Sequence, residues 1–250
     1  MTVERTGERV AGTVAPRDAG AGIQFGDAAA QLIGEVLADR ARHAVALMRH
    51  SAREFAPGRH DLENPLTAEG RELARRLGAR LPKAATVRGY ASPPARCMDT
   101  AELVLAGHRE GGGPITRHRP IEGLGVFYAL DQMKMWKRLT AAGGLVPFMQ
   151  DWVRGNAPQD ALMPAELAAG LVLRILAAKL AEPVAASQVD ICVSHDMTLY
   201  LMREVLLGEP ATGPEVQFLD ALVFYEAHGE FWLTSHHGEP RCVTGWLRMG

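Results

Sequence analysis

The run Ala44-Val45-Ala46-Leu47-Met48 is apolar at every position, and the chain then turns abruptly to Arg49-His50. A strand with one wet face would alternate polar and apolar residues; an unbroken apolar run has to be buried on both sides. Burial on both sides requires a sheet covered by helices above and below, so this run alone directs the chain toward an α/β sandwich. Two further stretches end in the same abrupt way. Val87-Arg88-Gly89-Tyr90-Ala91 stops at Ser92-Pro93-Pro94, and Val189-Asp190-Ile191-Cys192-Val193 stops at Ser194-His195-Asp196. In parallel α/β sheets the carboxyl ends of the strands line one crevice where ligands bind. The three polar clusters, remote in sequence, are therefore expected to converge.

Helical spacing accompanies these strands. Leu32, Ile33, Val36 and Leu37 predict an amphipathic helix within residues 23–42. Thr67 caps a second helix carrying Leu73, Leu77 and Leu81 on one face and Arg71, Arg75, Arg76 and Arg80 on the other, and Pro82 stops it. Further helices are expected over 98–105, 166–181 and 198–207. Residues 115–119 read as an edge strand, and 221–225 with 230–234 as a hairpin across His228-Gly229. The sum is an α/β fold, a three-layer α/β/α sandwich with a mostly parallel central sheet. Residues 1–20 lack an apolar period and read as a mobile tail. Residues 21–250 then form one domain, with a small helical insertion at about 121–162 lying over the sheet edge.

Composition narrows the partners. A formal net charge of −2 over 250 residues argues against nucleic acid or an anionic membrane surface as partner, so any attraction for phosphate must come from local clusters of arginine. No run of about 18 apolar residues occurs, so no membrane span is expected. The polar start contains no secretory core. Cys97, Cys192 and Cys242 cannot all pair within the chain and have no metal-ligand spacing, which fits a reduced, cytoplasmic protein. Self-association into a homo-oligomer is compatible with all of this.

The chemistry lies in Arg49-His50-Ser51-Ala52-Arg53. Guanidinium groups match phosphate oxygens in bidentate fashion and stay charged at any working pH. An imidazole set among them can attack phosphorus as a nucleophile. The bland alternatives are that His50 is a satisfied core histidine, that Arg96 pairs with Asp99 or Glu102 at a helix start, and that His195-Asp196 only caps a helix. His236-His237 suggests metal ligation, but no third ligand stands at a useful spacing, so no metal site is expected.

Taken in order, Arg49-His50-Ser51-Ala52-Arg53, Asn64-Pro65-Leu66-Thr67-Ala68-Glu69-Gly70, the stretch 92–102 with Arg96-Cys97 and Thr100-Ala101-Glu102, and Ser194-His195-Asp196 resemble the histidine phosphatase superfamily, with its phosphoglycerate mutase-like fold. The resemblance implies that His50 becomes phosphohistidine, that Arg49, Arg53 and Arg96 hold the phosphoryl oxygens, and that His195 is a further donor. These fixed cations stand in for a metal ion, so neither metal nor cofactor is called for. The His195-Asp196 pair is similar to the acid phosphatase branch, where that aspartate is the general acid. Glu122 sits about where the mutase branch places its acid, and Asp196 is preferred over it. Ser51 departs from the family's usual glycine, and its hydroxyl could bind phosphate or cap the following turn. The expected activity is phosphomonoester hydrolysis of a small phosphorylated substrate. A mutase-type phosphotransferase and a phospho-ligand-binding pseudoenzyme are the alternatives.

Overall fold

A computed structural model of the chain describes residues 24–56 and 63–248. The expected tail at residues 1–20 lies outside them, as do Arg59 and His60 in the loop after His50. The sheet has seven strands: β1 His43–Arg49, β2 Thr86–Ala91, β3 Ile115–Pro120, β4 Gln188–Ser194, β5 Ala221–Ala227, β6 Glu230–Thr234 and β7 Arg241–Cys242, in spatial order β3-β2-β4-β1-β5-β6-β7. The block β3-β2-β4-β1 is parallel, whereas β5, β6 and β7 join it by antiparallel pairings. The mostly parallel sheet expected from sequence thus describes the half that carries the polar clusters. The antiparallel half comes from the terminal hairpin, whose turn residues His228 and Gly229 both take positive φ, 56° and 75°. That geometry matches the right-handed twist of the flanking strands.

Helices α1 Asp27–Asp39, α2 Ala68–Arg80 and α3 Ala95–Glu110 cover one face of the sheet. The other face is covered by α4 Gln132–Ala141, α5 Leu145–Val153, α6 Ala165–Leu180, α7 Asp196–Met202 and α8 Thr244–Arg248. Alternation along β1 separates the two cores: Val45 and Leu47 face the second group, and Ala44, Ala46 and Met48 face the first. All five are fully buried, which is why the run has no polar alternate. Helix α3 begins three residues before the expected start because Pro94 occupies its N-cap position and fixes the chain there. Residues 121–162 do not lie along a sheet edge. Their Phe148, Met149 and Trp152 are buried in the core shared with α6 and α7.

At the end of the sheet opposite the polar clusters, the buried Asp190 accepts both Nε and Nη2 of Arg88, at 2.8 and 2.7 Å. Burial pushes this carboxyl up, but His43 and Arg88 outweigh it and hold it below the ordinary range. The basic face of α2 is not simply solvated. Arg71 pairs with Asp99, Arg75 with Glu110, and Arg76 and Arg80 with Asp27, tying α2 to both neighbours.

The start of α2 fixes the segment that follows the first cluster. Thr67 Oγ1 accepts from the Gly70 N–H at 2.9 Å, and the Thr67 N–H donates to the Ala52 carbonyl at 3.1 Å. A β-carbon on Gly70 would lie 2.0 Å from that same carbonyl oxygen, so only glycine permits the approach. Gly70→Ala should destabilise the fold by about 2–3 kcal/mol, as overpacking at a rigid backbone contact does. The expected readout is a lower urea midpoint with an unchanged m-value. An unchanged midpoint would mean that the 51–53 segment is free to move aside.

Candidate active site

His50 is the first residue after β1, which places its ring, 3% exposed, at the carboxyl end of the sheet. Its own N–H donates to the Ser194 carbonyl at 3.0 Å, so the ends of β1 and β4 are locked side by side. The ring's Nδ1 lies 2.8 Å from the Ser51 carbonyl. A carbonyl can only accept, so Nδ1 carries the proton and Nε2 keeps its lone pair. Consistently, Arg96 Nε donates to Nε2 at 3.1 Å. Burial is the main cause that drops the His50 pKa well below its ordinary value, reinforced by His195, Arg49 and Arg96. The imidazole is therefore neutral across the physiological range, the state a nucleophile needs.

The other clusters meet it there. Arg96, buried in the first turn of α3, points at His50 and not at Asp99, which Arg71 occupies. His195 follows β4, with its ring centroid 5.7 Å from that of His50 and Nε2 held 2.9 Å from Ser92 Oγ. Cys97 lies behind it, and burial pushes its thiol up to about 12, so it behaves as a small apolar residue. Arg53 stacks its guanidinium 4.1 Å from the Phe55 ring centroid and is close enough to act on the Asp196 carboxyl. Asp196, opening α7, forms a 3.0 Å ion pair with Arg49 Nη2 and accepts from the Met197 N–H at 2.8 Å. Burial pushes this carboxyl up, but Arg49, the Met197 N–H, His195 and Arg53 together hold it below its ordinary value. In this state Asp196 is a carboxylate.

Two further candidates are placed by the structure. The Ser51 hydroxyl is directed away from the His50 ring and the arginines: it is fully buried and donates to the Gly70 carbonyl at 2.6 Å, so it acts on the following segment and not on a ligand. Its N–H donates to Thr100 Oγ1 at 3.1 Å, so this residue braces α2 and α3 against the His50 loop. Glu122 lies on the one-turn helix Glu122–Leu124 directly after β3 and is exposed. It sits on the rim, since the Ile121 N–H bonds to the Ala91 carbonyl and the Leu124 carbonyl accepts from Ser194 Oγ. One contributor is invisible in the motif pattern. Phe218 lies 4.2 Å beneath the Arg49 guanidinium, with its ring centroid 6.0 Å from that of His50. It precedes Leu219, a bulky residue held at φ 63°. Only this positive φ, which sequence does not announce, could have marked the turn.

The fold brings a third donor-bearing side chain close to His236-His237, which spacing along the chain does not reveal. Asp220 enters β5 beside the end of β6, and one donor atom from each of Asp220, His236 and His237 lies within 4.8 Å of the others. The two imidazole centroids are 3.7 Å apart. Burial, with help from His236 and Arg203, lowers His237 to about 4, leaving its ring neutral.

Comparison with known proteins agrees with the geometry. The family profile of the histidine phosphatase superfamily (branch 1) matches residues 41–218. Among solved structures, the phosphoglycerate mutase from Bacillus anthracis str. Sterne is similar at 19% identity and TM-score 0.53, over 77% of this chain and 91% of its own. Mycobacterial hydrolase 1 is similar at 14% identity and TM-score 0.51, over 80% and 96%. Mycobacterial hydrolase 2 gives 15% and 0.51, over 82% and 95%. No curated protein matches the sequence.

Proposed function

Because the chain belongs to the histidine phosphatase superfamily (branch 1), we propose that it hydrolyses small phosphomonoesters through a phosphohistidine at His50. The observation that carries this reading is the fixed tautomer of His50, with Nε2 facing Arg96 and His195. Nε2 attacks phosphorus, a P–N bond forms and the ester P–O bond breaks. Arg49, Arg53, Arg96 and His195 hold the charge on the phosphoryl oxygens. The departing alkoxide takes a proton from Asp196. Water then attacks the phosphoryl group, gives its proton to the Asp196 carboxylate, and releases phosphate and free His50.

Asp196 must be protonated before the first step, although Arg49 holds it ionised in the empty site. A phosphate dianion supplies the change: it competes for Arg49 and repels the carboxylate, which raises the carboxyl's proton affinity. The ion pair also motivates a second reading, in which Asp196 stays paired with Arg49 and the rim carboxyl of Glu122 donates the proton.

Rapid quench with a labelled aryl phosphate tests the covalent step. A phosphoenzyme that is labile in acid, stable in alkali and maps to His50 is expected within the first turnover. Its absence during active turnover would rule out the covalent route. Fixed cations also make the reaction independent of metal, so activity after exhaustive chelation should stay within about twofold of the untreated enzyme. A strict requirement for added divalent ion would contradict the arginine cup.

A further inference from the structure

We propose that Asp220, His236 and His237 form a binding site for one divalent transition-metal ion of the zinc class, separate from the phosphate pocket. Two imidazoles and one carboxylate are a donor set that such ions accept, and hard ions such as magnesium do not favour it. The three donors already lie within 4.8 Å of one another. Ligation at about 2.1 Å would bring them to about 3.4 Å apart. Rotation of side chains supplies this change, and His237 lies at the exposed side of the cluster.

A second observation points to a ligand here. His236 Nδ1 is buried and has no hydrogen-bond partner among the described residues. Buried ring nitrogens are ordinarily satisfied, so an orphaned one on a member of this cluster needs an explanation. The surroundings are braced as metal sites usually are. The Gln217 N–H holds Asp220 Oδ2 at 2.7 Å. Ser235 Oγ accepts from the His237 N–H at 3.0 Å and donates to Glu209. The nearby cation, Arg203, is ion-paired with Glu209 at 2.9 Å and donates to the Pro214 carbonyl, so its charge is partly offset. A small cavity of ≈ 10 Å³ is lined by Asp220, His236 and His237 together, so the three side chains face one shared space.

The site also touches the catalytic strand. The Asp220 carbonyl accepts the Arg49 N–H at 2.9 Å, and Phe218, two residues earlier, packs on the Arg49 side chain. An ion that reorients Asp220 acts on a neighbour of the phosphate pocket without entering it.

Titration of chelator-treated protein with Co²⁺, read by its visible ligand-field bands, tests this directly. One equivalent should bind saturably and be displaced by Zn²⁺. His237→Ala, at an exposed position, should weaken binding by at least about tenfold while near-UV circular dichroism is unchanged. Asp220→Asn keeps the acceptor for Gln217 and should weaken binding similarly. Absence of saturable uptake by the wild type would overturn the proposal, as would undiminished uptake by His237→Ala. The readout is independent of turnover, so its failure leaves the phosphatase reading intact.

Discussion

His50→Ala lowers turnover of an aryl phosphate by at least about 10⁴-fold, while the affinity for inorganic phosphate stays within about tenfold of the wild type. The two halves of this expectation have different physical origins. Turnover disappears because, among the described residues, His50 is the imidazole whose Nε2 meets Arg96, while His195 Nε2 is engaged with Ser92. Affinity persists because the cations proposed to bind phosphate have their own supports, with Arg96 on α3, Arg49 at the end of β1, and Arg53 on the loop beyond. Removing the imidazole even releases Arg96 Nε for the ligand. Steady-state assays with calorimetric phosphate titration decide the matter. Retained turnover would place the nucleophile elsewhere, and lost affinity would make His50 mainly a binding residue.

Asp196→Asn slows the hydrolysis of alkyl phosphates by about 10²–10³-fold but that of p-nitrophenyl phosphate only by severalfold. A nitrophenolate leaves without help, whereas an alkoxide must be protonated as it departs. Asparagine keeps the size of the side chain and a hydrogen bond to Arg49, so the difference between the two substrates isolates the proton. If Glu122→Gln shows that dependence and Asp196→Asn does not, the rim carboxyl is the acid and Asp196 is a partner of Arg49 only. Both shifted groups act alike on stability toward acid. The low folded pKa of His50 means the unfolded chain binds more protons just below the ordinary histidine value, so the fold weakens as pH falls through that window. The depressed Asp196 contributes stability above the ordinary carboxylate range, which is lost as pH falls through its folded value.

Much of this site is readable because a strand buried on both faces leaves little choice about where its polar successor points. Ala44 to Met48 aim Arg49 and His50 at the sheet's carboxyl end, and Val193 does the same for His195. Thr67 as a cap follows from local hydrogen-bond chemistry and is found as expected. Less legible are features set by distance across the fold. The ion pair of Arg49 with Asp196 spans β1 and α7, and no local pattern announces it. Asp220 meets His236 and His237 only because β5 and β6 run antiparallel in this register, which residue spacing along the chain does not reveal. The direction of the Ser51 hydroxyl depends on how closely α2 approaches, and that approach is controlled by a glycine nineteen positions away.

The contact between Arg96 Nε and His50 Nε2 also has a kinetic meaning. In the proposed mechanism, this contact keeps the attacking electron pair masked by a cation in the resting state, which shields the ring from stray electrophiles in the absence of a phosphorylated guest. An incoming phosphoryl oxygen offers Arg96 a better acceptor and so unmasks the ring in the same event that delivers the electrophile. Uncharged acylating or alkylating reagents lack that lever, and their reaction with His50 must wait for Arg96 to swing away on its own.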